Sequence, residues 1–481
     1  MPVDRNTEQF LEEAQATPFD FHEISVKAAG DERLKTAVSA NTQRQYDGRV
    51  SRMLDLPDPD GLRDLAGRIK QHTLDHLDYY LDQLKSAVEA NGGRVHFAAD
   101  GAAARRIITD IATQAKCRGV IKSKSMASEE IELAHHLERA GLDLVETDLG
   151  EFIIQISHDK PSHLVAPIIH KDRASIARLF ADYFHTPYTD DPSALTRQAR
   201  TFLRDKFRRA DLGITGGNFL IAQTGQVCVV ENEGNARQSI TTPRVLVSLV
   251  GIEKLIPRLA DLAVMLKLLA RSSTGQPMTI YTSIFGGPRQ PGEKDGPEQF
   301  HLVLLDNGRS EILADPQYRE TLRCIRCGAC LNACPVYRKI GGHAYGSVYP
   351  GPIGALITPL FQGLGKFQDL PQASSLCGAC YEACPVKINI PKHLVNLRRD
   401  IVKGKLNGWM ERLVYRLWAR GLRSPMVYRM IVGLQKFDLR RRAAGTGWVH
   451  RLPRVAAGWT QVRDMPAPAS RTFRQLWKDR P

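Results

Sequence analysis

Two short cysteine runs constrain this chain more than any other feature. Cys324-Ile-Arg-Cys327-Gly-Ala-Cys330-Leu-Asn-Ala-Cys334-Pro335 and Ser374-Ser-Leu-Cys377-Gly-Ala-Cys380-Tyr-Glu-Ala-Cys384-Pro385 hold seven of the nine cysteines in 481 residues. The first run has the C-x2-C-x2-C-x3-C-P spacing of a bacterial ferredoxin-type iron–sulfur motif, and the second repeats it with serine at the first position. Thiols two residues apart on one tight wrap converge on one iron–sulfide cube, and small residues between them (Gly328, Ala329, Gly378, Ala379) permit close backbone approach. Where two clusters share such a pair of runs, the cysteine before each proline ligates the other run's cluster. This predicts cluster one on Cys324, Cys327, Cys330 and Cys384, and cluster two on Cys334, Cys377 and Cys380.

The place of a fourth ligand to cluster two falls on Ser374. The sequence leaves open a [4Fe–4S] cluster with a non-cysteine or exogenous ligand and a [3Fe–4S] cluster that needs three. Structural zinc fits the regular C-x3-C-P endings less well, and the odd cysteine count without a signal peptide argues against disulfides. Cys117 and Cys228, each alone in apolar surroundings, read as small core residues.

Charge is unevenly distributed. Residues 391–481 carry 21 Lys and Arg against 5 Asp and Glu, whereas residues 1–390 carry 45 against 47. All five tryptophans (Trp409, Trp418, Trp448, Trp459, Trp477) lie in that basic end. No apolar run is long enough to span a membrane. The polar N-terminus has no apolar targeting core, and the expected compartment is the cytoplasm.

Taken in order, residues 1–60 read as a polar leader before a helical pattern from Leu62 to Ala90. Strand and helix then alternate: strands at Arg94–Ala98, Gly119–Lys122 and Asp143–Glu146, helices at Ala102–Ala115 and Glu129–Ala140, with Phe152–Ile156 as a possible further strand. That alternation predicts a mostly parallel α/β sheet. A helix at Ser193–Ala210 leads to strands at Asn218–Ala222, Val227–Val230 and Val245–Val250, a helix over Ile252–Ala270, and strands at Met278–Thr282 and Phe300–Leu305. A boundary near Asn307–Gln317 opens the cysteine domain, Arg319–Leu397. Its glycine- and proline-rich middle, Gly341–Gly365, reads as an irregular insert. Helices at Trp409–Ala419 and Met426–Phe437 precede a loosely patterned end.

Within the α/β region, Lys122-Ser-Lys-Ser-Met126 suits either an anion site or a turn capped by Ser125 or Ser128. Gly213-Ile-Thr-Gly-Gly-Asn218 lacks dinucleotide-binding and P-loop spacing and reads as a turn into a strand. Glu231-Asn-Glu-Gly-Asn235 follows an apolar strand, the position where α/β domains bind ligands, and offers Glu231 and Glu233 as acid–base candidates. No nucleophile triad is recognisable, so catalytic residues stay unassigned. His158, His163 and His170 form no metal-ligand pattern and read as structural.

Together with Glu146-Thr-Asp-Leu-Gly-Glu-Phe-Ile-Ile-Gln155 and Tyr349-Pro-Gly-Pro-Ile-Gly354, these motifs make the sequence resemble the LutB/LldF family of iron–sulfur lactate-utilisation proteins over most of its length. The resemblance implies an α/β LUD domain (CoA-transferase/sugar-isomerase-like) over residues 70–306, preceded by a leader of residues 1–69 that includes the start of the helical region. A two-cluster ferredoxin-type helical domain would cover 319–397 and a basic helical extension 398–481. It further implies two [4Fe–4S] clusters, the second with three cysteines, and two partners: a cysteine-rich heterodisulfide-reductase-like subunit and a smaller LUD protein. Gln223 stands where related sequences lead one to expect glutamate, which weakens a carboxylate role there.

The function so implied is an electron-transfer subunit of an L-lactate-oxidising system. The rival reading makes the chain itself a 2-hydroxy-acid dehydrogenase, with substrate at an open iron of cluster two or in the LUD crevice. The basic end suits an acidic protein or an anionic membrane surface. No zinc finger, helix-turn-helix or aromatic RNA-binding motif supports nucleic acid as a partner.

Overall fold

The computed structural model describes residues 19–460 and 463–479. It divides into two compact units, residues 1–401 and 402–481. The part of the polar leader before residue 19 lies outside the described residues.

The first unit is built on a parallel sheet of β1 (Arg94–Ala98), β2 (Gly119–Lys122), β3 (Asp143–Glu146), β4 (Leu212–Thr215), β7 (Val245–Gly251) and β10 (Gln299–Leu305). Their order across the sheet is β1-β10-β7-β4-β2-β3. Every residue of β7 is buried, as expected of a central parallel strand covered on both faces. One face packs on helices Gly101–Gln114 and Leu133–Arg139 through Ile108, Ile111, Leu133 and Leu137. The other packs on helix Leu77–Ala90 and a smaller sheet, ordered β8-β5-β6-β9, of β5 (Phe219–Ile221), β6 (Gln226–Glu231), β8 (Leu255–Ile256) and β9 (Tyr281–Phe285).

Several local expectations are corrected. Phe152–Ile156 is helical, within Leu149–Ile156, because Asp148 caps the turn by accepting the Glu151 amide at 3.1 Å. Pro257 divides the stretch read as one helix over Ile252–Ala270: Leu255–Ile256 pairs with β5, and the helix begins at Leu259 and runs to Thr274. The strand placed at Met278–Thr282 runs instead from Tyr281 to Phe285. The helical pattern up to Ala90 is two helices, Pro59–Asp75 and Leu77–Ala90, meeting at His76.

The insert at Gly341–Gly365 is not wholly irregular. It contains the helix Gly351–Gln362, whose first nine residues are all buried; a helix apolar all round leaves no periodic signature. At Gly351, φ is +70° and a Cβ would stand 2.6 Å from Leu331, so only glycine lets this helix start against the first cysteine run.

The leader is also more than a lead-in. Phe21–Gly30 and Glu32–Met53 are helices capped by Asp20 and Asp31, and the second lies on the cysteine domain. Arg49 donates to the Glu382 carbonyl at 3.1 Å, and Arg63, on Pro59–Asp75, donates to the carbonyls of Glu382 (2.8 Å) and Cys384 (2.9 and 3.0 Å). Only two of the four buried positions of Glu32–Met53 are apolar (Val38 and Met53, beside Thr42 and Arg49), which hides the docking face from a hydrophobicity pattern. One core joins these helices, Leu259–Thr274 and the cysteine domain.

The second unit contains helices Trp409–Arg423 and Pro425–Arg442, a short strand pair (Trp448–Val449 with Met465–Pro466) and helix Phe473–Lys478. Trp409, Met410, Val414, Trp418, Met430 and Phe437 are exposed on its two long helices. Among the described residues no helix is long and apolar enough to cross a membrane.

Candidate iron–sulfur centre and adjoining pocket

The two cysteine runs fold as copies of one backbone. Arg326 and Leu376 have φ of +60° and +55°, and Gly328 and Gly378 have +77° and +87°. Each run then forms a five-residue helix, Ala329–Ala333 or Ala379–Ala383, and reaches its last cysteine in extended conformation. Even the turn hydrogen bond is repeated: the Arg326 amide donates to Cys324 Sγ at 3.4 Å, and the Leu376 amide to Ser374 Oγ at 3.1 Å. Ser374 therefore occupies the structural position of Cys324.

The fold sorts the thiols into a four and a three. Cys324, Cys327, Cys330 and Cys384 line one small cavity with Leu164, Ile353, Ile388 and Ile390. Burial foremost, with Cys384 and Cys324 adding, pushes the Cys327 thiol up to about 12. Cys334 is raised by burial and by Cys377, and Cys380 goes to about 12 by burial, Cys334 and Cys377. Cys330 also senses Cys380, so the two groups are neighbours.

This donor set fits iron–sulfur clusters. Crowded buried thiols are costly to ionise unless cationic iron neutralises them. Amides also stand ready to donate to sulfur, from Tyr337 to Cys334 at 3.4 Å and from Ile388 to Cys384 at 3.3 Å. Cys377 is exposed while Cys327, Cys330, Cys334, Cys380 and Cys384 are buried. Cys117 is buried against the parallel sheet, and Cys228 is buried on the smaller sheet in the core that continues into the cysteine domain; neither lines the four-thiol cavity.

A pocket of about 290 Å³ abuts the four-thiol group, and Cys327 lines both. It sits at the carboxyl ends of the strands: Ser123–Ser125 follow β2, Gly216–Asn218 follow β4, and Leu249–Gly251 end β7. Glu231 and Glu233 both line it. Glu231 accepts the amides of Ala236 (2.7 Å) and Arg237 (2.8 Å), which anchors the next helix. Glu233 accepts only the Leu149 amide (3.1 Å), and burial reinforced by Asp148 raises its carboxyl to about 7.

Lys122 is not open to an anion. Fully buried, it is paired with Glu129 (2.9 Å) and Glu146 (2.7 Å). Lys124 lines the pocket and is paired with Glu151, while Ser125 caps the short helix Met126–Glu130. Gln223 lies outside the pocket and accepts the Leu259 amide at 3.2 Å.

The histidines divide. His158 sits at a turn with φ of +51°. His163 is buried against the first run: its Nδ1 accepts the amides of Val165 and Ala166 (both 3.1 Å), and its Nε2 faces Asn332 Oδ1 at 3.2 Å. His170 and His343 converge on Asp159, a grouping the separate sequence positions concealed. Asp159 already accepts from Lys171 (2.7 Å) and His170 (3.0 Å), which makes this an ion-paired knot.

Sequence reasoning missed the polar chain tying the α/β domain to the first run. Arg309 makes a two-pronged bond to Glu130 (2.8 Å each) and donates to Glu253 at 2.5 Å. Tyr349 donates to Glu130 at 2.5 Å, and Arg326 donates to Glu253 at 3.4 Å. Against burial, Arg309 and then Arg326 hold the Glu253 carboxyl down at about 2. The one available signal was an arginine inside the cysteine run.

A parallel α/β domain whose strand-end pocket opens onto a seven-thiol ferredoxin-type domain defines an iron–sulfur protein of the LUD class. Residues 81–305 match the LUD domain, residues 320–388 the 4Fe-4S dicluster domain, and residues 397–481 the C-terminal domain of lactate utilisation protein B. The lactate utilization protein B of Bacillus cereus (strain AH820) is 42% identical over 456 residues, spanning 93% of this chain and 94% of that protein. The protein of the same name from Bacillus thuringiensis (strain Al Hakam) matches equally. The chain belongs to the lactate utilisation protein B family. A crystal structure of a DUF162-family protein from Deinococcus radiodurans covers 48% of this chain and 98% of its own at 12% identity and a TM-score of 0.28, too distant a likeness to inform the fold.

Proposed function

We propose that this chain is an electron carrier in lactate utilisation, passing single electrons between two iron–sulfur clusters. The observation that carries the reading is the sorting of seven thiols into neighbouring groups of four and three. Cys324, Cys327, Cys330 and Cys384 would hold cluster one; Cys334, Cys377 and Cys380 would hold cluster two, with Ser374 at the fourth place. Bound clusters supply one-electron chemistry. The chain's own contribution is to bury the first group beside the pocket and to leave Cys377 of the second exposed, a short path from an enclosed end to a surface end.

In this reading the protein works in the cytoplasm with a cysteine-rich heterodisulfide-reductase-like subunit and a smaller LUD protein. The basic second unit suits contact with an acidic protein or an anionic membrane surface. The strand-end pocket is in keeping with a CoA-transferase/sugar-isomerase-like ancestry for the LUD domain.

The test is iron and acid-labile sulfide analysis of anaerobically purified protein, with Mössbauer and EPR spectra in both redox states. About eight irons and eight sulfides per chain are expected for two cubanes. Zinc without sulfide would end the electron-carrier reading.

A further inference from the structure

The pocket beside the four-thiol group has an uneven distribution of charge. At the end formed by Lys254, Arg309, Arg326 and Tyr349, two carboxylates face three cations: Glu253, which also lines the pocket, and Glu130 behind it. Arg309 is fully engaged with Glu130, Glu253 and the Asp306 carbonyl. Arg326 is not. It is 8% exposed, makes a single long bond from Nη2 to Glu253, and has no partner for Nη1, while its guanidinium lies over the Tyr349 ring at 4.7 Å. The Lys254 ammonium has no hydrogen-bond or ion-pair partner among the described residues.

A buried cation left one carboxylate short is costly unless an anion completes it. Buried Lys70, whose ammonium bonds the Glu253 and Leu255 carbonyls, stands behind this end as a further cation, so the surplus here is at least one positive charge. A planar guanidinium with free N–H groups matches a carboxylate fork. Glu231, Glu233 and Asp148 line the same pocket and disfavour a second negative charge on the ligand. At about 290 Å³ the pocket lies at the small end of ligand sites and suits a metabolite rather than a nucleotide.

We infer that this pocket binds a small monocarboxylate, held by Arg326 and Lys254 against the four-thiol end of the iron–sulfur domain. The site stands on these side chains; its connection to lactate chemistry rests on the function proposed above.

The same cations also sense Cys324, so a rival role for them is to offset the negative charge of cluster one alone. Calorimetric titration of the full-length, cluster-loaded protein with L-lactate, pyruvate, acetate and inorganic phosphate separates the two. The inference expects saturable binding of at least one monocarboxylate, tighter than phosphate. It also expects at least tenfold weaker binding in Lys254→Met at unchanged iron content. Arg326→Gln should weaken binding as strongly; if that variant fails to load its clusters, Lys254→Met decides alone.

No carboxylate binding to the loaded wild-type protein, tighter binding of phosphate, or affinity indifferent to Lys254→Met would each overturn the site. A midpoint potential that moves in Lys254→Met while wild type binds no carboxylate would assign these cations to the cluster. Full clusters without carboxylate binding would sink the pocket and leave the electron carrier intact. Binding by a chain without sulfide would do the reverse.

Discussion

The two cysteine runs share a backbone and seven of their twelve residues, and the contrast between them rests on the other five. Where the first has Cys324, Arg326 and Asn332, the second has Ser374, Leu376 and Glu382. Arg326 reaches Glu253 and Asn332 reaches His163 and the Ser273 carbonyl, so the first run is fastened into the α/β domain. Leu376 is exposed, and Cys377 beside it is exposed too. The backbone repeat sets where sulfur goes, and the side chains between the sulfurs decide which thiol group is enclosed.

The largest effects should come from the crossing of ligands between runs. Cys334→Ser should remove cluster two, about four irons, although Cys334 belongs to the first run; Cys384→Ser should remove cluster one in the same way. Iron analysis with EPR of the remaining signal checks both, and loss of cluster one from Cys334→Ser would refute the assignment.

Next comes the fastening of the first run. Arg309→Leu leaves the buried Glu130 and Glu253 carboxylates short of their main partner and should cost about 3–5 kcal/mol in denaturant unfolding. Ser310→Ala, one position on at the exposed surface, should change stability by no more than about 0.5 kcal/mol.

The first run should also carry a pH dependence that the second lacks. Burial holds His163 down at about 4, and its two amide donors require a bare Nδ1. An unfolded histidine takes up its proton near pH 6.5, so below that pH protons favour the unfolded chain. Stability is complete above about pH 6.5 and falls with acidification, by about 2 kcal/mol between pH 7 and pH 5. Urea titrations of wild type and His163→Gln over that range should show this component absent from the variant.

The smallest effect should come from Ser374→Ala, which removes one acceptor from an exposed turn and should shift stability by about 0.5 kcal/mol or less. Ser374→Cys, restoring the symmetry of the runs, should alter the cluster-two EPR signal and leave that of cluster one unchanged.

The features legible in the sequence were those encoded locally. The C-x2-C-x2-C spacing and the alternation of strand and helix from Arg94 to Glu146 each lie within a few tens of residues. Glu231 and Glu233 stood out because they follow the apolar strand Val227–Val230, although that strand belongs to the smaller sheet, where it pairs antiparallel. What escaped notice depends on distant partners. Lys254, Arg309 and Arg326 carry no pattern until the fold gathers them around Glu253. Lys122 resembled an anion ligand because Glu129 and Glu146, which neutralise it, are remote or unremarkable in sequence. Helix Gly351–Gln362 was missed because burial on all sides erases the periodicity by which helices are recognised.

The clasp of Arg63 on the Cys384 carbonyl carries a consequence for biogenesis. The two residues are 321 positions apart, so this early helix leaves the ribosome long before its docking surface exists. At about 5–20 residues per second the wait is roughly 15–60 s. Throughout that interval Arg63, and Arg49 on the preceding helix Glu32–Met53, have no carbonyl to meet, because both bond to the second run. The packing around the four-thiol group is thereby completed only after the second run has been translated.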